Sequence, residues 1–179
     1  MVVIIRRRIR TQGWVITLRW LYVILLSKLF GYVPLQYSRI TPQVYVGSQH
    51  GLLGKYRLRM AGVTASINLR EEFDYAEKWI LFEDYLHIPV LDEHAVSLDQ
   101  LHDGIVFIQQ VVNNGGIVYV HCASGVGRSV MLVIAYLIQD GMTFEEAYAK
   151  VKTVRPFVYL FPSQQERLHE FEDQLKLSQ

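Results

Sequence analysis

The order of residues from Ile117 to Ser129 restricts the fold more than any other feature of the chain. An apolar, β-like run, Ile117 to Val120, leads into His121 and Cys122, the only cysteine. The loop Ala123-Ser124-Gly125-Val126-Gly127 follows, then Arg128, Ser129 and a long apolar stretch with helical character. So short a glycine-bearing loop between a strand and a helix leaves successive backbone N–H groups pointing inward, and the helix adds its unsatisfied amides and the positive end of its dipole. The result is an anion cradle. Arg128 offers it a planar fork that reaches two phosphoryl oxygens at once, which a lysine could not do. The same field lowers the pKa of Cys122 and makes it a thiolate nucleophile near neutral pH. Either half alone is commonplace, since a lone cysteine is usually a small buried hydrophobe. Their coincidence in register carries the reading.

Around this centre the chain alternates strands and helices. Gln43 to Gly47 is a short strand after the turn-forming Thr41-Pro42, Gly51 to Met60 a short basic helix, and Val63 to Leu69 a buried strand. Phe73 to Ile80 reads as a helix and Tyr85 to Val90 as a further strand. Ser97 opens a helix to about Asn114, with Leu101, Ile105, Ile108 and Val112 at helical spacing, and Asn113 to Gly116 ends it. Arg128 to Gln139 is the apolar helix after the cradle; Thr143 and Glu146 form a capping box for the next, which must stop before Pro156. Ser163 starts a last helix to about Leu175. Such alternation predicts an α/β fold: a single domain with a central, mostly parallel sheet flanked by helices, and the phosphate-binding loop between a central strand and a helix.

With 179 residues the chain has room for one good core and little for a second domain. The sequence predicts a catalytic domain over residues 34–179 after a distinct segment at 1–33. A single cysteine excludes an internal disulfide framework and suits a reducing compartment. The net charge of +1 hides an asymmetry: residues 1–70 hold eleven Lys and Arg and no Asp or Glu, and residues 71–179 hold seven basic and seventeen acidic side chains. Arg6, Arg7, Arg8 and Arg10 precede an apolar stretch, Trp14 to Val33, that is interrupted by Arg19, Ser27 and Lys28.

Four readings of residues 1–33 compete. A spanning helix would carry Arg19 near its middle, at roughly 2.5–3.5 kcal/mol. It would also hold the arginine cluster in the cytoplasm and send the thiol to the other, oxidising side. An interfacial helix avoids that conflict, because Trp14, Trp20, Tyr22 and Tyr32 suit the headgroup level and the cations pair with anionic lipid. An Arg-rich, acid-free stretch also fits an organelle transit peptide, and a plain helix packed on the catalytic domain fits as well. The interfacial reading gives a cytoplasmic, membrane-associated protein; the transit peptide gives a mitochondrial one. Nucleic-acid binding explains the basic cluster less well, since apolar residues interleave it and no recognition motif accompanies it, and no nucleic-acid partner is expected. The catalytic residues lie far along the chain, so a chain starting near Leu35 is expected to keep its activity on soluble substrates.

The stretch from Cys122 to Arg128, with the hydroxyl of Ser129 after it, resembles the C-x5-R signature loop of the protein tyrosine phosphatase superfamily. The short domain, with no Lys-Asn-Arg-Tyr stretch to deepen a phosphotyrosine pocket, favours the compact dual-specificity branch. The resemblance covers roughly Ser38 to Glu172. It implies hydrolysis of phosphate monoesters through a cysteinyl-phosphate, with Cys122 as nucleophile, Arg128 as the phosphate clamp and His121, Ala123, Ser124, Gly125, Val126 and Gly127 as the binding loop. An alkoxide leaves poorly unless it is protonated by an acid on a loop able to close over the cradle. In this family the acid is an aspartate, which implies Asp92 in the segment His87 to His94, with Glu93 as the nearest rival. His94 is expected to be a surface side chain without a metal-spacing partner. Ser129 is expected to donate to the Cys122 sulfur, and His121 to orient the loop through hydrogen bonds rather than act as a base. Arg155 falls in a stretch, Val154 to Phe157, that resembles a dual-specificity motif and is structural or a secondary anion contact. Gln164 and Gln165 are expected on the surface of the last helix. The mechanism implies no metal or organic cofactor.

A protein substrate bearing phosphotyrosine, phosphoserine or phosphothreonine fits the compact branch. Phosphoinositide-acting relatives usually carry lysines in the loop, where this chain has Ala123, Ser124 and Val126, so a monophosphate is favoured. A membrane-associated lipid phosphatase similar to phosphatidylglycerophosphate phosphatase is the alternative, kept open by residues 1–33. An inactive phosphoryl-binding module would be marked by loss of Cys122, Arg128 or Asp92, and all three are present.

Overall fold

The computed structural model describes residues 2–30, 37–76 and 80–177. Five strands, β1 (Tyr37–Arg39), β2 (Val44–Gly47), β3 (Ala65–Arg70), β4 (Asp84–Val90) and β5 (Val118–His121), form one sheet in the order β1-β2-β5-β3-β4. Only β1 is antiparallel; the other four run parallel, with Gly47 and Asn68 flanking His121. The carboxyl ends of β2, β3 and β5 therefore meet at one edge, where open parallel sheets bind ligands.

Residues alternate across the sheet and supply two separate cores. Val44 and Val46 of β2 and Val118 and Val120 of β5 enter the larger one, which is covered by α4 (Leu98–Asn113) and α5 (Arg128–Gln139). Tyr45 and Tyr119, between them in sequence, face the other way and join Leu58 of α3 (Leu52–Met60) with Val63 and Phe82. α6 (Phe144–Val154) and α7 (Pro162–Leu177) pack on α5, whose residues are buried almost throughout. The predicted capping box of Thr143 with Glu146 is present, and Ser97, expected only to open its helix, forms a second one with Gln100. The last helix begins one residue early, at Pro162, whose fixed φ suits a first turn.

Two local features differ from the sequence reading. β1 is a three-residue edge strand too short to leave a pattern. The helix expected over Phe73 to Ile80 is replaced, at Phe73 to Tyr75, by a non-helical turn; residues 77–79 lie outside the described residues. Side chains hold that turn: Asn68 Nδ2 donates to the Phe73 carbonyl at 2.6 Å, and the Tyr85 hydroxyl accepts from Tyr75 N and donates to Asp74 Oδ1. These bonds satisfy the backbone in place of helical ones.

Residues 2–30 form α1 (Val2–Gln12) and α2 (Trp14–Phe30), joined at Gly13, whose φ of +81° is left-handed. No helix among the described residues is long and apolar enough to cross a membrane. Both helices touch the catalytic domain: Trp20 is buried with Val126 and Phe157. Residues 31–36, Tyr32 and Val33 among them, lie outside the described residues.

α4 meets α5 tightly at Gly104, where an added Cβ would stand 2.6 Å from Leu132 Cδ1 and 3.2 Å from Ile88 Cδ1. Gly104→Ala is therefore expected to destabilise the protein by about 1–3 kcal/mol through overpacking. In urea denaturation this will lower the midpoint at an unchanged slope.

Candidate active site

β5 delivers His121 to the carboxyl edge, and the chain then turns through residues 122–127 into α5 with Gly127 as its N-cap. Four successive carbonyls of this loop are held by donors outside it. Ala123 O accepts from Gln49 N at 3.2 Å, Ser124 O from an Arg155 Nη at 3.2 Å, Gly125 O from Arg155 Nε at 2.6 Å and Val126 O from Tyr159 N at 3.2 Å. With the carbonyls turned outward, the amide of Gly125 faces Cys122. Gly125 makes the turn at φ +67°, and a Cβ there would collide with the Gly47 carbonyl and the Arg155 guanidinium. Arg155 is thus a structural support of the loop. Its burial lowers its pKa to about 10, so it remains a cation at neutral pH.

Cys122 is buried, its Sγ accepting from Gly125 N at 3.2 Å and lying 3.4 Å from Ser129 Oγ. Burial pushes its thiol up, but the charge of Arg128 and the hydrogen bonds from Ser129 and Gly125 outweigh this and hold it below the ordinary thiol value.

Arg128 is 1% exposed and fully engaged along its fork. Nη1 donates to Val90 O at 2.7 Å, to Leu69 O at 3.3 Å and to Glu72 Oε2 at 3.0 Å; Nη2 donates to Glu72 Oε1 at 3.3 Å and lies 3.0 Å from Asp92 Oδ1. Nε alone has no partner among the described residues. Glu72 is a functional residue that sequence reasoning missed. Desolvation raises its pKa, yet the hydrogen bonds from Arg128, its own backbone and Arg70 bring it down to about 2, so it stays anionic. Its sequence signal is slight: Glu71-Glu72 is the first acidic pair of the chain and follows directly on a buried strand.

Asp92 follows β4 on a loop bent at Glu93, a non-glycine residue with φ +67°. His94 N donates to Leu91 O at 3.2 Å, and the His94 ring nitrogen Nδ1 lies 3.0 Å from Asp92 O. Asp92 is the residue of the acidic pair that reaches Arg128; its side chain is 75% exposed, and Glu93 is exposed as well. Gln164 departs from its expected surface position. It is fully buried, donates through Nε2 to His94 O at 2.9 Å and accepts at Oε1 from Phe161 N at 3.1 Å, tying the Asp92 loop to the start of α7. Gln165 is half-buried and caps Leu160 O at 3.0 Å.

His121 is also placed differently. Its two ring nitrogens have no hydrogen-bond partner among the described residues. The ring packs against those of His50, Tyr75 and Tyr119, at 5.2, 4.9 and 5.3 Å. Burial, then the neighbouring His50 and Arg70, hold its pKa well below the usual histidine value, and only a loose backbone contact with Cys122 works in the other direction. A neutral ring behind the nucleophile supports the loop by packing rather than by hydrogen bonds.

The model of the dual specificity phosphatase catalytic domain matches residues 44–174. The chain belongs to the dual specificity phosphatase family. It is 33% identical to dual specificity protein phosphatase 12 of Homo sapiens over 149 residues, 80% of this chain and 42% of that protein. It is 32% identical to a probable dual specificity protein phosphatase of Dictyostelium discoideum over 145 residues, 78% of this chain and 35% of the other. The chain thus spans well under half the length of these curated relatives. Among solved structures, PTPMT1 in complex with PI(5)P is similar at a TM-score of 0.73 and 29% identity, over 80% of this chain and 98% of the other. Human DUSP28 is similar at 0.71 and 25%, over 80% and 97%.

Arg155→Met should leave the Ser124 and Gly125 carbonyls unpaired, at a cost of about 1–3 kcal/mol each when buried. The loop amides then lose their aim at Cys122. The pH midpoint of Cys122 alkylation by iodoacetamide, below that of an ordinary thiol in the wild type, is expected to rise in the variant.

Proposed function

We propose that this dual specificity phosphatase domain hydrolyses phosphate monoesters through a cysteinyl-phosphate intermediate. The observation that carries this is the Cys122 sulfur bonded by the Gly125 amide and beside Ser129, in the field of Arg128, with Asp92 on Arg128. The Cys122 thiolate attacks phosphorus, Asp92 gives its proton to the departing oxygen, and the phosphorus–oxygen bond breaks. Water, deprotonated by the same aspartate, then attacks the phosphocysteine and releases phosphate, with Ser129 donating to the sulfur as it leaves. The amides and Arg128 stabilise the charge on the transferring phosphoryl group in both steps. Each proton and electron pair comes from the protein, the substrate or water.

We assign phosphorylated proteins as the substrate class, with phosphotyrosine and phosphoserine or phosphothreonine as targets. Ala123, Ser124 and Val126 give the loop the means to neutralise one phosphoryl group and no lysines for a second. A lipid monophosphate is the second reading. It is favoured by the likeness to PTPMT1 holding PI(5)P and by the apolar face of α2, where Trp14, Leu18, Tyr22, Leu25 and Leu29 are exposed at helical spacing. In either case we assign residues 1–33 to contact with an anionic membrane surface on the cytoplasmic side and residues 34–179 to catalysis.

Cys122→Ser should abolish turnover while tungstate binding persists, because serine is not ionised at neutral pH but the amides and Arg128 remain. Retention of a tenth or more of wild-type turnover refutes the covalent route. Asp92→Asn should lower kcat by about 10²–10⁴ on alkyl or peptide phosphates and far less on activated aryl phosphates, whose leaving group needs no proton. Equal losses on both would reduce Asp92 to a loop-shaping role. Parallel assays on phosphopeptides and on phosphatidylglycerophosphate vesicles decide between the substrate classes.

The membrane assignment has its own test. Full-length protein should pellet with anionic vesicles and be released by salt, since each basic residue near such a surface contributes about 1 kcal/mol that ions screen. Pelleting that resists both salt and alkaline carbonate would replace the interfacial reading with a spanning one.

A further inference from the structure

The inner sides of α1 and α2 are more closely built into the catalytic loop than a tether requires. Arg8 is 6% exposed. Its Nη1 donates to the Phe157 carbonyl at 3.1 Å and to Gln12 Oε1 at 2.8 Å, and its guanidinium carbon stands 4.4 Å over the Trp20 ring. Gln12 Nε2 donates to the next carbonyl, Val158 O, at 2.7 Å. Trp20 itself is 6% exposed, in one cluster with Val126 and Phe157. Taking a guanidinium and an indole out of water is costly unless their polar atoms are matched. For the guanidinium, backbone of the 157–158 segment and Gln12 supply the match.

That segment touches the loop twice. The Phe157 ring lies under the Arg155 guanidinium at 4.5 Å, and Arg155 holds the Ser124 and Gly125 carbonyls. Two residues on, Tyr159 N holds the Val126 carbonyl. Three of the four contacts that turn the loop carbonyls away from Cys122 therefore issue from a stretch on which Arg8 and Gln12 pull directly. Val126, the loop residue in contact with the Trp20 cluster, provides a further and independent link.

We propose that α1 and α2 are an intramolecular brace that sets the phosphate-binding loop, with Arg8 as its positioning residue. The proposal rests on Cys122 and its loop being the site of phosphate transfer. The brace acts at a distance from the substrate: it fixes residues 157–159, these fix the outward carbonyls, and the inward amides follow. The catalytic half is then not self-sufficient even toward a small soluble substrate, contrary to the expectation from sequence.

The test uses the full chain in vesicle-free buffer, with an aryl phosphate as substrate and iodoacetamide as the probe of the thiol. Misplacing a reacting group by 1 Å can cost about 10²-fold, so Arg8→Ala and Trp20→Ala are expected to lower kcat by about tenfold or more. They should also raise the pH midpoint of Cys122 alkylation, read at a temperature where thermal melts show the variants to be folded. Trp20→Phe keeps a ring against Val126 and Phe157 and should stay within about threefold of wild type on the same reasoning. Folded Arg8→Ala and Trp20→Ala proteins with unchanged kcat and unchanged midpoint overturn the brace. Should thermal melts show that both are unfolded, Gln12→Ala, which removes one bond to Val158 O, takes their place. It is expected to raise the midpoint, and a folded Gln12→Ala protein with unchanged midpoint and kcat overturns the proposal. An inactive wild type would refute the phosphatase reading instead, and the alkylation midpoint, which needs no turnover, would still decide the brace.

Discussion

The site depends on where four backbone carbonyls point. Residues 123–126 form a loop whose peptide units could flip at modest cost, and in each flipped state a carbonyl dipole would face the Cys122 sulfur. Donors from three places prevent this: Gln49 after β2, Arg155 after α6, and Tyr159 before α7. Each of them binds an outward oxygen, and the Gly125 N–H, between two of these carbonyls, is turned to the sulfur, which is what a thiolate or a phosphoryl group requires. The lowered pKa of Cys122 is a consequence of that arrangement acting with Arg128, since burial alone would raise it. Gly125 follows from the same geometry, as no side chain fits between the loop and Gly47.

Two carboxylates meet the Arg128 fork and are set to different tasks by their surroundings. Glu72 takes both terminal nitrogens, is held by Arg70 as well, and has its pKa brought down to about 2. It is a fixed anion that orients the guanidinium plane and offsets its burial. Asp92 meets one nitrogen from an exposed loop. In the proposed mechanism this carboxyl gives a proton to one oxygen and later takes one from water, so it has to turn between them, and exposure leaves it that freedom. Both terminal nitrogens being engaged, the two-oxygen grip expected of the fork is not open in this arrangement, and Nε, without a partner among the described residues, is the donor left for a phosphoryl oxygen in the proposed reaction.

The parts of this arrangement that were legible in the sequence are those encoded by neighbours along the chain. The strand, the loop and α5 form one contiguous stretch, and the helix start at Ser97 and the capping box at Thr143 are written within four residues, so both the fold class and the cradle could be read directly. Parts built across the sheet could not. Glu72 lies 56 residues from its arginine, and nothing in its local pattern separates it from Glu71. Gln164 sits on a polar helix face yet is buried, because its partner is the His94 carbonyl 70 residues away. The turn at Phe73 to Tyr75 has a helix-like apolar spacing that Asn68 and Tyr85, both outside it, override. His121 was expected to orient the loop through hydrogen bonds, where an aromatic cluster drawn largely from other parts of the chain surrounds it.

The N-terminal helices extend that lesson. By composition residues 1–33 separate cleanly from the rest, with their arginines and apolar runs, and a composition break is ordinarily a boundary between independent parts. Packing removes the independence, because Arg8 and Trp20 turn the inner side of the pair toward Phe157 and Val126 while Trp14, Leu18 and Leu25 remain on the outer side. A helix pair apolar on both sides has two surfaces to cover. The catalytic loop covers one, and the outer stripe, bordered by Arg10 and Arg19 and by no acidic residue, is complementary to an anionic, apolar surface. On the proposed brace, an element that touches the loop on one side and meets such a surface on the other would transmit a shift of its seat to the carbonyls around Cys122, which would couple location to catalysis.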